Sequence, residues 1–203
     1  LCSNKPFAIM VPDIQAARAF CEISSEEEKA LLERQRPIVL LEKKKGQQSI
    51  DGDVAPGNRR LGVMLPYTPL HRLLFHPHGT FNALVMTSGN LSDEPIVVDN
   101  NEAIKKLSPI AGFFLLHDRG IYMRVDDSIV RMDGKAKRLV RRARGFVPDV
   151  IPLDEEMEEV FAAGALLKNT FCITKGMNAI VSQHIGDLEN FEAMEFYKET
   201  LRN

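Results

Sequence analysis

Thr87-Ser88-Gly89-Asn90 puts two hydroxyls, a side-chain amide and a glycine-relaxed backbone into four consecutive residues. Amide N–H groups and hydroxyls gathered at such a turn can point at one anion, and phosphate or acyl-phosphate oxygens suit them. The same four residues also make an ordinary Ser-Gly-Asn turn. Basic side chains that could reach a shared anion stand at Lys5, at Arg124 and in the run Arg141-Arg142-Ala143-Arg144. A nucleoside triphosphate carries about four negative charges, and a set of hydroxyls, backbone amides and several cations is the physical answer to it.

A second group of charges lies in Arg124-Val125-Asp126-Asp127-Ser128. Asp126 and Asp127 can hold Mg²⁺ or pair with the nearby arginines, and adjacency leaves both open because neighbouring strand residues face opposite ways. His71, His76, His78 and His117 form no helical i, i+4 pair and read as surface or core histidines, so no metal site is assigned. Lys135, Lys137, Arg138, Arg141, Arg142 and Arg144 fall within ten residues, with Arg131 just before them. They form either a solvated strand-and-turn face or a local anion site.

The bulk numbers set limits around these groups. With 26 Lys+Arg against 28 Asp+Glu the net charge is −2, so the chain has no overall field of the kind nucleic-acid binders use. Cys2, Cys21 and Cys172 are odd in number, far apart and in no zinc-like spacing, which fits a reducing cytoplasm. No apolar run approaches the ~18 residues that cross a bilayer, and no signal-peptide order is present. The chain opens on Leu1 and closes inside a helical pattern, so both ends are expected to be cut.

The elements that must position the candidate residues are a mixture of strands and helices. Residues 5–11 read as a buried strand followed by a helix over 13–21, and Ser24 with Glu27 has the capping-box spacing before a second helix that Arg36-Pro37 stops. Strands follow at 38–41, 61–66 and 82–87, the last feeding directly into Ser88, and the polar stretch 43–60 is a long loop. A helix at 101–107 and strands at 112–116, 128–132 and 138–141 complete a first domain, expected over 1–148. The absence of strict alternation argues an α/β (α+β) fold with a mixed twisted sheet. The acidic, Pro-containing stretch 149–159 reads as a linker. From 160 to 203 three short strands near Phe161, Thr170 and Ala179 are joined by turns at Lys168-Asn169 and at residues 175–178, and a helix follows. About 45 such residues cannot bury a self-sufficient core, so this second domain is expected to be truncated.

Several long phrases, in order, carry a resemblance. Lys-Pro-Phe-Ala-Ile-Met (5–10), Leu-Gly-Val-Met-Leu-Pro-Tyr-Thr-Pro-Leu-His (61–71), Thr-Ser-Gly-Asn-Leu-Ser-Asp-Glu-Pro-Ile (87–96), His-Asp-Arg (117–119) and Arg-Val-Asp-Asp-Ser-Ile-Val-Arg (124–131) resemble the YrdC-like domain of the HypF carbamoyltransferases of hydrogenase maturation. Arg-Arg-Ala-Arg-Gly-Phe-Val-Pro (141–148) resembles the end of that domain. Ala-Ala-Gly-Ala-Leu-Leu-Lys-Asn-Thr-Phe-Cys (162–172) and Ser-Gln-His-Ile-Gly-Asp-Leu-Glu-Asn (182–190) resemble the opening of the family's Kae-like domain, an actin/Hsp70-like ATPase fold.

The resemblance implies an ATP-dependent enzyme that makes carbamoyl-AMP from carbamoyl phosphate and passes the carbamoyl group to the C-terminal cysteine of the partner protein HypE. There it becomes the cyanide ligand of a [NiFe] centre. It implies ATP with Mg²⁺, zinc only in parts of the parent outside this chain, and no membrane or nucleic-acid partner. By resemblance Ser88 and Asn90, beside Thr87, stand in the nucleotide site's Ser-x-Asn element, Ser128 in a second phosphate-contacting strand, and Arg144 at a C-terminal arginine. Arg124 and Arg142 are the further cations, and Lys168 and Asn169 form the second-domain loop. Lys5 stands just after the family's Lys-x-Arg element, which should lie at or before residue 1 and is expected to be missing. The fragment alone is therefore expected to be inactive, and its catalytic residues are not identified. His184 does not match the family's metal-binding histidines. Two other readings are a threonylcarbamoyl-AMP synthase-like enzyme and a non-catalytic module that binds nucleotide or RNA, as YrdC-like domains resemble double-stranded-RNA binders in presenting a wide basic concavity.

Overall fold

The computed structural model describes residues 6–44, 50–75, 81–91 and 94–202. Lys5, His76 and His78 lie outside the described residues. The chain divides into two compact units, each discontinuous in sequence. One comprises Leu1–Thr87 and Asp127–Arg141, the other Ser88–Asp126 and Arg142–Asn203.

The first unit is built on a seven-stranded sheet, and the sheet is mixed as the sequence predicts. Its strands are β1 (Ala8–Met10), β2 (Cys21–Glu22), β3 (Ile38–Lys43), β4 (Arg60–Met64), β5 (Leu84–Met86), β6 (Ile129–Asp133) and β7 (Ala136–Arg141). The order is β5-β1-β4-β3-β6-β7, with β2 on β3. β1 runs parallel to β4 and β3 parallel to β6; the remaining neighbours are antiparallel. The central strands are continuous apolar runs because both of their faces are covered. Ile9, Met10, Val39, Leu41, Leu61, Val63 and Met64 are all buried. Gly62 sits where strands crowd: a Cβ there would lie 2.9 Å from Ile38 Cγ2 and 3.3 Å from Ala8 Cβ.

Two short helices cover this sheet. α1 (Ile14–Phe20) starts where Asp13 Oδ1 accepts the Ala16 N–H at 2.8 Å, and α2 (Ser25–Leu32) where Ser24 and Glu27 close the expected capping box. Ala17, Ala30 and Leu31 are the buried residues they contribute. Arg36 takes a positive φ of 46° before Pro37, and its Nη1 donates to the Leu31 carbonyl at 3.2 Å, which ends the helical run. α3 (Pro69–Leu74) is capped by Thr68 and opens on a proline.

The second unit has its own three-stranded sheet. β10 (Cys172–Val181) lies between β8 (Ile151–Met157) and β9 (Phe161–Ala162), antiparallel to both. The helices here are α4 (Asn100–Leu107) and α5 (Phe191–Arg202). The segment read as an acidic linker thus carries a strand paired with β10.

Two expected elements differ. The strand expected at residues 112–116 does not form; Phe113 is 98% exposed and Leu115 67%. A strand needs a ladder, and this stretch is tied instead by a side chain: Asn100 Nδ2 donates to the His117 carbonyl at 2.8 Å. The turn expected at residues 175–178 is also absent, and the two strands it would join are one ten-residue strand. Gly176, at φ 57°, absorbs the irregularity, and the pairing with β8 shifts register between Gly176 and Asn178 while β10 runs on.

Candidate functional site

The loop after β5 is built around Asn90. Its Nδ2 donates to the carbonyls of Leu91, at 2.8 Å, and Glu94, at 2.9 Å, and the Val97 N–H returns to the Gly89 carbonyl at 3.0 Å. α4 braces the same loop through Lys106, whose Nζ lies 3.0 Å from both Glu94 and Glu102. Those two carboxylates, Glu94 first, push the Lys106 pKa up. Asn90 is therefore a loop former with its carboxamide turned inward, and its Oδ1 is enclosed without a hydrogen-bond partner among the described residues. Ser88 is exposed beside it. A loop held from inside, with a hydroxyl left in solvent, can present that hydroxyl to an anion at little ordering cost.

The candidate arginines in this unit have separate surroundings. Arg142 is a clamp: Nη1 donates to the Val181 carbonyl at 2.8 Å, and Nη2 to the carbonyls of Phe146, at 2.8 Å, and Asp149. Burial lowers its pKa below the ordinary guanidinium value. A guanidinium spent on three carbonyls has little left for a phosphate. Arg144 is half-buried and its N–H donates to the Asp126 carbonyl at 3.0 Å. Arg124 lies over the Phe196 ring, its Cζ 5.5 Å from the centroid, with Nε 3.7 Å from Glu199.

Asp126 has a partner that spacing did not reveal. Its Oδ2 lies 2.8 Å from His184 Nδ1, and the His184 N–H donates to the Arg142 carbonyl at 2.9 Å. His184 stands on a turn braced by main-chain bonds between Asn169 and both Gly186 and Ile185, and by the Lys168 N–H donating to Asp187 Oδ1 at 2.6 Å. Asn169, 2% exposed, donates Nδ2 to the carbonyls of Ala163 and Ala165. The loop 163–170 is thus pinned from within by Asn169, and Lys168 sits on it at φ 50°.

In the first unit Thr87 is exposed at the end of β5, whereas Ser128 is fully buried and its carbonyl accepts the Ile38 N–H at 2.8 Å in the β3–β6 ladder. Part of the basic run is neutralised there. Asp133 takes Arg131 at 2.8 Å and Arg138 at 2.6 Å, and Glu33 takes Lys137 at 2.5 Å. A surface groove of ≈ 370 Å³ beside α1, which the sequence did not mark, is lined in part by Asp13, Arg36, Leu65, Pro66 and Arg72. Among the described residues no three His, Cys, Asp or Glu side chains are gathered as a metal site. A Mg²⁺ that accompanies a triphosphate needs only one or two carboxylates, its other ligands being phosphate oxygens and water.

The Sua5, YciO and YrdC family profile, described as telomere recombination, matches residues 2–143, and that of the HypF Kae1-like domain matches 155–203. The carbamoyltransferase HypF of Rhizobium leguminosarum bv. viciae is 45% identical over 204 residues, spanning 98% of this chain and 26% of the relative. HypF2 of Cupriavidus necator is 47% identical, over 95% of the chain and 26% of its own length. A full-length HypF crystallised in a phosphate- and nucleotide-bound form superposes with a TM-score of 0.91 at 46% identity, covering 98% of this chain and 31% of that one. Sua5 of P. abyssi, at 14% identity and a TM-score of 0.56 over 69% of the chain, shares the fold. The chain spans about a quarter of the length of the curated relatives it matches.

Proposed function

The chain belongs to the Sua5/YciO/YrdC family in the form that continues into a HypF Kae1-like segment, and we propose that it is the nucleotide-handling part of an ATP-dependent, cytoplasmic carbamoyltransferase. The observation that supports this most directly is the likeness, over 98% of the chain, to a HypF crystallised with phosphate and nucleotide. In this reading water cleaves carbamoyl phosphate to carbamate and inorganic phosphate, and the carbamate attacks the α-phosphorus of ATP through a carboxylate oxygen. The bond to pyrophosphate breaks and carbamoyl-AMP remains. The thiolate of a C-terminal cysteine on HypE then attacks the carbamoyl carbon and AMP leaves. Residues 1–148 would form the adenylating domain, 149–159 the connection and 160–203 the start of the transfer domain.

The work of adenylation is electrostatic: charge shifts onto the departing pyrophosphate and must be met by groups already in place. Ser88 supplies a hydroxyl on a braced loop, and Arg124 and Arg144 supply cations. Mg²⁺ arrives with the triphosphate. Asn90, Arg142 and Ser128 act on shape: Asn90 and Arg142 through bonds to main-chain carbonyls, Ser128 from inside the β3–β6 ladder. The test is ATP–pyrophosphate exchange by the intact parent protein. Exchange that requires carbamoyl phosphate is expected; exchange that requires threonine and bicarbonate instead would favour a threonylcarbamoyl-AMP synthase, to whose Sua5 representative the chain is only 14% identical.

A further inference from the structure

Residues of the HypF-like segment hold a strip of the YrdC-like segment by its side chains. Residues 124–126 fall within the part matched by the Sua5/YciO/YrdC profile, and the three side chains that grip them come from the part matched by the HypF profile. Phe196 and Glu199 of α5 flank the Arg124 guanidinium, and His184 takes the Asp126 carboxylate at 2.8 Å. The imidazole is 15% exposed and its carboxylate partner 23%. A carboxylate only accepts, so His184 Nδ1 carries the proton between them. His184 is itself fixed: its N–H donates to the Arg142 carbonyl, and the Arg144 N–H donates to the Asp126 carbonyl. The bridge therefore joins Arg124's strip, Arg144's strip and the turn at 182–186 at one point.

We propose that His184 is a positioning residue for nucleotide binding: by donating Nδ1–H to Asp126 it sets the placement of Arg124 and Arg144, so the HypF-like segment tunes the grip of the YrdC-like segment on ATP. The idea takes its ligand from the function proposed above. It assigns His184 no proton transfer. Nδ1 is the atom that matters, and a side chain that restores a donor at that place restores the function. Asparagine does so, since its Nδ2 stands at the same distance from the backbone as Nδ1 of histidine. Alanine supplies no donor.

The experiment is equilibrium binding of ATP, by calorimetry, to the intact parent carrying His184→Ala, His184→Asn, Asp126→Ala or the double change Asp126→Ala/His184→Ala, with pyrophosphate release followed on the same preparations. The Kd for ATP should rise roughly tenfold in His184→Ala and in Asp126→Ala, the effect of losing a coupling of about 1.4 kcal/mol, and no further in the double variant because the pair acts as a unit. His184→Asn should bind within about threefold of the wild type. Additive losses, or an Asn variant as weak as the Ala variant at an unchanged unfolding temperature, would overturn the proposal, and so would unchanged affinity in both single Ala variants. Should the Ala variants fail to fold, the Asn variant decides alone: near-native affinity supports the bridge and weakened affinity removes it. A wild-type parent that binds ATP but shows no carbamoyl phosphate-dependent pyrophosphate release defeats the proposed function and leaves this test standing; one that binds no ATP overturns both.

Discussion

Arg142 donates to three main-chain carbonyls, at Val181, Phe146 and Asp149. Truncating Arg142 leaves two half-buried carbonyls, at Val181 and Phe146, without their donor, so Arg142→Ala is expected to cost roughly 1–3 kcal/mol of stability. Thermal unfolding of the parent should show that loss, and Arg142→Lys should not repair it because an ammonium cannot fork between carbonyls. Ser88→Ala is expected to act oppositely. It removes one hydroxyl from a loop that Asn90 and Lys106 hold without it, leaving the unfolding temperature in place while adenylation falls roughly tenfold to a hundredfold, the effect of losing about 1.5–3 kcal/mol at a charged oxygen. Arg144→Ala should cost at least as much activity. Pyrophosphate release measured beside thermal unfolding separates the cases: wild-type release in Ser88→Ala and Arg144→Ala would show that neither residue meets the nucleotide.

At the scale of elements, the loop 163–170 depends on its backbone. Gly164 stands at φ 80°, and a Cβ there would lie 2.1 Å from the Thr170 carbonyl oxygen and 2.8 Å from Asn169 Nδ2. Gly164→Ala should therefore displace the Asn169 amide and cost about 2 kcal/mol or more, from a strained backbone and broken hydrogen bonds together. Faster amide exchange confined to residues 163–170 would mark the damage; unchanged exchange would mean that the loop takes a side chain there without strain. The capping box of α2 offers a milder comparison, since Ser24→Ala removes an N-cap acceptor worth about 1 kcal/mol and touches no candidate residue. Both elements announce themselves locally: a serine three residues before a glutamate, and a glycine between alanines. Their consequences differ because only the second closes on residues brought from elsewhere.

For the molecule as a whole, Cys21 provides a pH probe of the first unit. Burial, the dominant cause, pushes its thiol up to about 12 from the ordinary 9.0. The folded state holds its proton where the unfolded chain releases it, so stability is fully present below pH 9 and declines as pH rises from there toward 12. Urea midpoints across that range should fall with pH, and Cys21→Ala should flatten the slope; a native thiol that alkylates at pH 8 as fast as an exposed one would contradict the burial. Much of this architecture was open to reading from the chain alone. Apolar runs marked the central strands, a capping box marked α2, and the Ser-Gly-Asn turn after β5 was legible because turn chemistry is local. Apolar composition without a ladder misled at residues 112–116, and a glycine that kinks a strand read as a turn near Gly176. The roles of the charged side chains needed the tertiary structure. That Asp126 meets His184 turns on a residue 58 positions away, and one of the three carbonyls that hold Arg142 comes from 39 positions away. Local sequence limits what a residue can form, whereas the packing of distant segments decides which donor reaches which acceptor.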